Sequence, residues 1–195
     1  ALAERDAEVR AALARLGPPA PRVRAPGFAT LLRIVTAQQV STHAAAAIWG
    51  RLEARLGAVT PAALLAVPAE DLRAVGLSAR KVEYATGLAR AVADGALDLD
   101  ALAHADDEAV VEAITALKGF GRWSAEIYLL FALGRADAFP ADDLALRLAL
   151  GRLKGTDERL AAGAARELVA PWAPWRGCGA IFLWHYYGAA TLDRT

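Results

Sequence analysis

At 195 residues, with 56% hydrophobic and only 23% charged residues, the chain is long enough to bury a core and too apolar to stay disordered. Lys+Arg 22 against Asp+Glu 22 gives a formal net charge of zero, so any grip on a polyanion has to come from a local basic strip. The single cysteine, Cys178, excludes a disulfide framework and any multi-cysteine metal site, and no stretch approaches the roughly 20 apolar residues of a membrane span. A cytoplasmic protein with no membrane partner is the expectation, and the absence of Met leads us to expect that the original N-terminus is missing.

Helix formers dominate from end to end, and β-branched runs are few. Residues 2–16 make the first predicted helix, with Val9, Leu13 and Leu16 on one face and Gly17-Pro18-Pro19 as its stop. After a Pro-rich connection to Gly27, Phe28, Leu31, Leu32 and Val35 form an apolar stripe that Gln38-Gln39 interrupts. Ser41 or Thr42 caps the next helix, which ends near Gly57. Thr60-Pro61 is a cap followed by proline at the first helical position. Pro68 starts another helix, closed by Gly76. Ser78 caps a helix to about Ala93 whose first turn carries Arg80 and Lys81, charges that oppose the macrodipole and either sit in solvent or face an anion. Asp106-Asp107 opens a further helix, Thr156-Asp157 caps one ending at Pro171, and Pro174 begins a last one through Tyr187. The tally is about ten helices with short turns, an all-α chain.

Within it, a helix carrying Ile114 and Leu117 meets Gly119-Phe120-Gly121, and a second helix starts at once. Two glycines around an apolar residue permit a tight reversal with positive φ, with Phe120 plugging the gap beneath. Backbone amides at the following helix start make an anion site suited to one phosphate, independent of base sequence. A plain helical turn with structural glycines explains this motif equally well.

The turn resembles the helix-hairpin-helix. Together with GFATLLRIVTAQQVS, LKGFGRWSAEIYLLFALG, FPADDLALR and APWAPWRGCGAIFLWHYYG, in that order, it makes the chain similar to the helix-hairpin-helix DNA glycosylase superfamily, in its 3-methyladenine DNA glycosylase II branch. The resemblance implies a two-lobed all-α fold with the active site in the cleft between lobes. One lobe would be residues 27–135 with the hairpin, and the other residues 1–26 plus 136–195 with the catalytic acid. It implies binding of double-stranded DNA as a monomer, in the bacterial cytoplasm, through Lys118, Gly119, Gly121 and Arg122. Gln39 matches the position where the family inserts a wedge into the gap left by a flipped base, although close relatives place an apolar side chain there. A structural Na⁺ or K⁺ on the backbone carbonyls of Thr115, Leu117 and Phe120 is also implied by the resemblance alone, and no cofactor is required.

Phe139-Pro140-Ala141-Asp142-Asp143 delivers two acids to a helix start. The local pattern makes Asp142 the N-cap and puts Asp143 one residue into the helix, where the dipole favours its ionised form. Two surface caps are the bland reading of such a pair. Asp143 stands 20 residues after Trp123, the spacing of the family's catalytic aspartate, whose charge supports an oxocarbenium-like sugar or activates water. Trp123 occupies the position where bifunctional relatives carry a Schiff-base lysine, so the resemblance implies a monofunctional enzyme of base-excision repair that leaves an abasic site. Trp123 and Trp184 fall on positions that line the family's base pocket, where aromatic faces attract a cationic alkylated purine. Trp172 and Trp175 are read as packing, and His185 as a surface or boundary residue. The tyrosine that some relatives carry four residues after the pocket tryptophan is Ile127 here, with Tyr128 one step on, and the N-terminal β domain of larger relatives is not represented. A glycosylase for other damaged bases and a non-catalytic hairpin DNA-binding protein are the alternatives.

Overall fold

The computed structural model describes residues 2–156 and 158–192, and side chains to Ala189. Among the described residues there are thirteen α-helices and no strand. In chain order they are α1 (Leu2–Arg5), α2 (Ala7–Leu16), α3 (Phe28–Ala37), α4 (Thr42–Leu56), α5 (Pro61–Leu65), α6 (Ala69–Ala74), α7 (Ala79–Ala93), α8 (Leu99–His104), α9 (Asp107–Thr115), α10 (Arg122–Phe131), α11 (Leu144–Leu153), α12 (Ala162–Val169) and α13 (Arg176–Leu192). No helix among the described residues is long and apolar enough to cross a membrane.

The helix count exceeds expectation because local caps win over periodicity. Asp6, in extended conformation, accepts the Val9 N–H at 3.0 Å and splits the first predicted helix into α1 and α2. Asp98 accepts from the Asp100 and Ala101 amides and starts α8, which the sequence reading did not separate. The caps at Ser41, Thr60, Ser78 and Asp106 form as expected. Thr156 does not: its hydroxyl donates to the Gly151 carbonyl, α12 begins later at Ala162, and Asp157 lies outside the described residues.

The chain divides into two compact units, Arg24–Leu133 and Ala1–Val23 with Gly134–Thr195. The first boundary falls before Arg24 because the Arg24 N–H donates to the Phe131 carbonyl at 2.8 Å, tying this residue to the end of α10. In that unit α3 is the central helix. Phe28, Leu31, Leu32, Ile34 and Val35 are all buried, and α4, α7 and α10 pack around them. A helix apolar nearly all round belongs inside. The start of α3 is fastened by Tyr128, whose fully buried hydroxyl accepts the Gly27 N–H at 2.9 Å. Burial pushes the Tyr128 phenol up from its usual range.

In the other unit α11 and α13 form the core pair through Leu146, Ala149, Leu150, Phe182 and Leu183. Gly179 lets α13 lie on Trp172: a Cβ there would come within 2.4 Å of the indole ring. That ring is 1% exposed, so Trp172 is packing as expected, but Trp175 is 39% exposed and is not. The Trp172 Nε1–H donates to Asp6 at 2.7 Å, and Lys154 donates to the same carboxylate at 2.7 Å and to Glu8 at 3.3 Å. Burial alone would raise the Asp6 pKa, but the hydrogen bonds from Lys154, the Val9 amide and Trp172 outweigh it and bring it down to about 2.

Candidate functional site

The turn between α9 and α10 closes by two short backbone bonds, Leu117 N–H to Ile114 and Phe120 N–H to Leu117, each 3.1 Å. Gly119 carries the reversal at φ +89°, and a Cβ there would sit 2.2 Å from the Tyr84 ring. Gly121 differs from expectation: its φ is −106° and a Cβ would meet nothing within 4 Å. Only the first glycine is therefore demanded by backbone geometry. Phe120, 5% exposed, plugs the turn from below. Gly121 is the N-cap of α10 without a side-chain cap.

The two cations of the turn are engaged by acids. Lys118 lies 2.6 Å from Glu83, and Arg122 lies 2.6 Å from Glu108 and 3.1 Å from Glu126. These bonds hold the pKa of both bases above their ordinary values. The Lys118–Glu83 and Arg122–Glu108 pairs lie at the surface and are screened by solvent, whereas Glu126 is buried.

The end of α3 lies against the same turn. Gln38 Nε2 donates to the Gly119 carbonyl at 3.0 Å and to the Ser124 hydroxyl at 3.2 Å. Gln39, next in sequence, is exposed and stands at φ 56°, the one positive φ outside glycine among the described residues. Lys81 from α7 donates to the Thr36 carbonyl at 2.7 Å. A cation at the carbonyl end of α3 is favourable, which answers the two basic residues at the start of α7: this one faces a helix dipole, not an anion. Its partial burial lowers its pKa. Trp123, at the second position of α10, is half-buried, while Ile127 and Tyr128 are core.

The acid end departs from expectation in one respect. Asp143, not Asp142, is the N-cap of α11, its Oδ1 accepting the Leu146 N–H at 3.0 Å. The turn before it, closed by Asp143 N–H to Pro140 at 2.9 Å, consumes one more residue than the cap rule assumes. Asp142 is left exposed at the surface, 3.7 Å from Arg166. Phe139, Pro140 and Ala141 are buried, so the loop is anchored up to the acids. The Trp184 indole N–H donates to Asp143 Oδ1 at 3.1 Å, so one carboxylate oxygen takes both bonds and the plane of the group is fixed. Sequence reasoning placed Trp184 in a pocket wall and missed this bond. Spacing across 41 residues carries no signal for it. His185 lies 3.4 Å from the Leu16 carbonyl, a boundary position.

Two clusters thus emerge. Gln38, Gln39, Lys118, Gly119, Gly121, Arg122 and Trp123 belong to the unit of residues 24–133, and Asp143 with Trp184 to the other. The Leu117 carbonyl, one of the expected cation ligands, accepts the Phe120 N–H.

A family model described as HhH-GPD superfamily base excision DNA repair protein matches residues 32–174. Among relatives, DNA-3-methyladenine glycosylase 1 of Schizosaccharomyces pombe is 33% identical over 80% of this chain and 71% of its own length. The YfjP protein of Bacillus subtilis is 32% identical over 59% of this chain but is spanned for only 40% of its length. A solved 3-methyladenine DNA glycosylase from S. pombe, in complex with abasic DNA, superposes with a TM-score of 0.87 at 29% identity, covering 92% of this chain and 90% of that one.

Proposed function

The chain belongs to the HhH-GPD superfamily of base excision DNA repair proteins, and from that premise we propose that it is a monofunctional DNA glycosylase that removes alkylated purines of the 3-methyladenine type by hydrolysing the N-glycosidic bond. The observation that carries the reading is the Asp143 carboxylate, fixed on one oxygen by the Leu146 amide and the Trp184 indole. A carboxylate preorganised in this way at a helix start stabilises positive charge developing on the sugar, or orients water toward it. An alkylated purine is cationic and already a good leaving group, so no strong general acid is needed. Trp184, bonded to that carboxylate, offers an aromatic face to such a base.

Trp123 cannot form a Schiff base, so water is the nucleophile and the abasic strand stays intact. The substrate is double-stranded DNA with the damaged base flipped. A phosphate is held by the amides that open α10, with Lys118 released from Glu83 and Arg122 from Glu108 as it binds, while Arg122 keeps the buried Glu126. Gln39 is the residue that enters the vacated stack. A monovalent ion held by the Thr115, Leu117 and Phe120 carbonyls would add positive charge beside that phosphate.

The deciding experiment is release of free base from methylated duplex DNA, followed by alkali. Free base with strand breaks only after alkali supports the reading. Breaks without alkali would point to lyase chemistry, and duplex binding without base release to a non-catalytic hairpin protein. Gly121→Asp should weaken binding across sequences without loss of stability, since an aspartate at this N-cap caps α10 while repelling phosphate.

A further inference from the structure

We propose that Gln38 is a positioning residue whose side-chain amide clamps the end of α3 to the hairpin and thereby presents Gln39 to the DNA. The assignment rests on the reading above that Gln39 fills the gap left by a flipped base. Both acceptors of the Gln38 amide belong to the hairpin: Gly119 makes the reversal, and Ser124, 1% exposed, lies in the first turn of α10. The contact bridges 81 residues of chain, so it joins two elements that share no local sequence.

The neighbouring backbone explains why such a clamp is needed. Gln39 sits in the left-handed region, which disfavours a residue with a Cβ, and it does so exposed to solvent. A strained exposed residue keeps its conformation only if both sides are held. On one side Gln38 makes its two bonds and Lys81 holds the Thr36 carbonyl. On the other Ser41 caps α4 by accepting the Ala44 N–H at 3.2 Å. The result is a short rigid link between the residues that hold a phosphate and the residue that enters the duplex. Binding at the hairpin then sets the depth and direction of Gln39 without further ordering, a saving in conformational entropy.

The test uses the full chain with Gln38→Met, which keeps length and volume but removes the amide, and Gln38→Glu, which keeps polarity but cannot donate. The probe is a duplex carrying one 7-methylguanine beside 2-aminopurine, whose fluorescence reports unstacking independently of base release. Both variants should slow the fluorescence rise and single-turnover release about tenfold, matching Gln39→Ala. The double variant Gln38→Met with Gln39→Ala should be within about twofold of the worse single change, because Gln38 acts through Gln39. In Gln38→Met, which adds no charge, affinity for undamaged duplex and the thermal midpoint should stay near those of the parent chain. Wild-type fluorescence kinetics in Gln38→Met, multiplicative effects in the double variant, or no effect of Gln39→Ala would each overturn the assignment. If the parent chain unstacks the duplex but releases no base, the glycosylase reading fails while the fluorescence still judges Gln38.

Discussion

Asp6 and Asp143 have the same local grammar and opposite fates. Each is an N-cap, accepting the amide of the residue three positions on at 3.0 Å, and each accepts a tryptophan indole N–H. Asp6 is 7% exposed and sealed by Lys154, so its charge is spent within the fold. Asp143 is half-exposed beside Trp184. The cap and indole bonds orient the Asp143 carboxylate, and the half-buried Lys154 ammonium neutralises that of Asp6. Chemistry requires the first arrangement and stability favours the second.

The largest effect expected from this contrast is on turnover. Asp143→Asn should lower base release at least about a thousandfold with little change in the unfolding midpoint, because asparagine caps α11 as well as aspartate. Asp6→Asn should do the reverse, leaving release untouched and costing about 2–3 kcal/mol in urea unfolding, since Lys154 loses its nearer partner and keeps Glu8. If Asp143→Asn retains turnover, the division of roles between the two acids collapses.

Acid titration isolates the Asp6 contribution. With a folded pKa of about 2 against 3.8 in the unfolded chain, the Asp6 contribution is complete above pH 4 and lost as pH falls toward 2. It amounts to about 2 kcal/mol. The stability gap between the parent chain and Asp6→Asn should therefore narrow across that window, and a constant gap would show that Lys154 does not depress the acid.

The tryptophans give the next contrast. Trp172→Phe should cost about 2–4 kcal/mol, through a lost bond to a buried carboxylate and an unfilled volume. Trp184→Phe should slow release about tenfold at little cost in stability, having removed one orienting donor of Asp143. Smallest of all, Asp142→Asn should change release by less than about twofold, because Asp142 is exposed and its Arg166 partner lies 3.7 Å away.

Much of the fold was legible because helix caps are local. Thr60-Pro61, Ser78 and Asp106 each decide their helix start within three residues, and the structure follows. The hairpin was legible for the same reason, down to the left-handed glycine, although Gly121 turned out not to need one. What escaped were choices between adjacent acceptable residues. Asp142 and Asp143 are equally good caps by type, and the buried Phe139-Pro140-Ala141 turn chose the second. Asp6 was missed because its partners, Lys154 and Trp172, lie 148 and 166 residues away.

By itself the sequence determined the all-α class, the helix starts, the two-glycine turn and the presence of an acid pair near a helix start, since each depends on φ/ψ preferences and hydrogen bonds within a few residues. Tertiary structure alone decided which acid is sealed and which is oriented, that Gln38 reaches the hairpin, and that Lys118 and Arg122 rest on carboxylates. Those outcomes depend on distances between residues far apart in the chain, and side-chain charge and hydrogen-bonding capacity take effect only when packing brings their partners within about 3 Å.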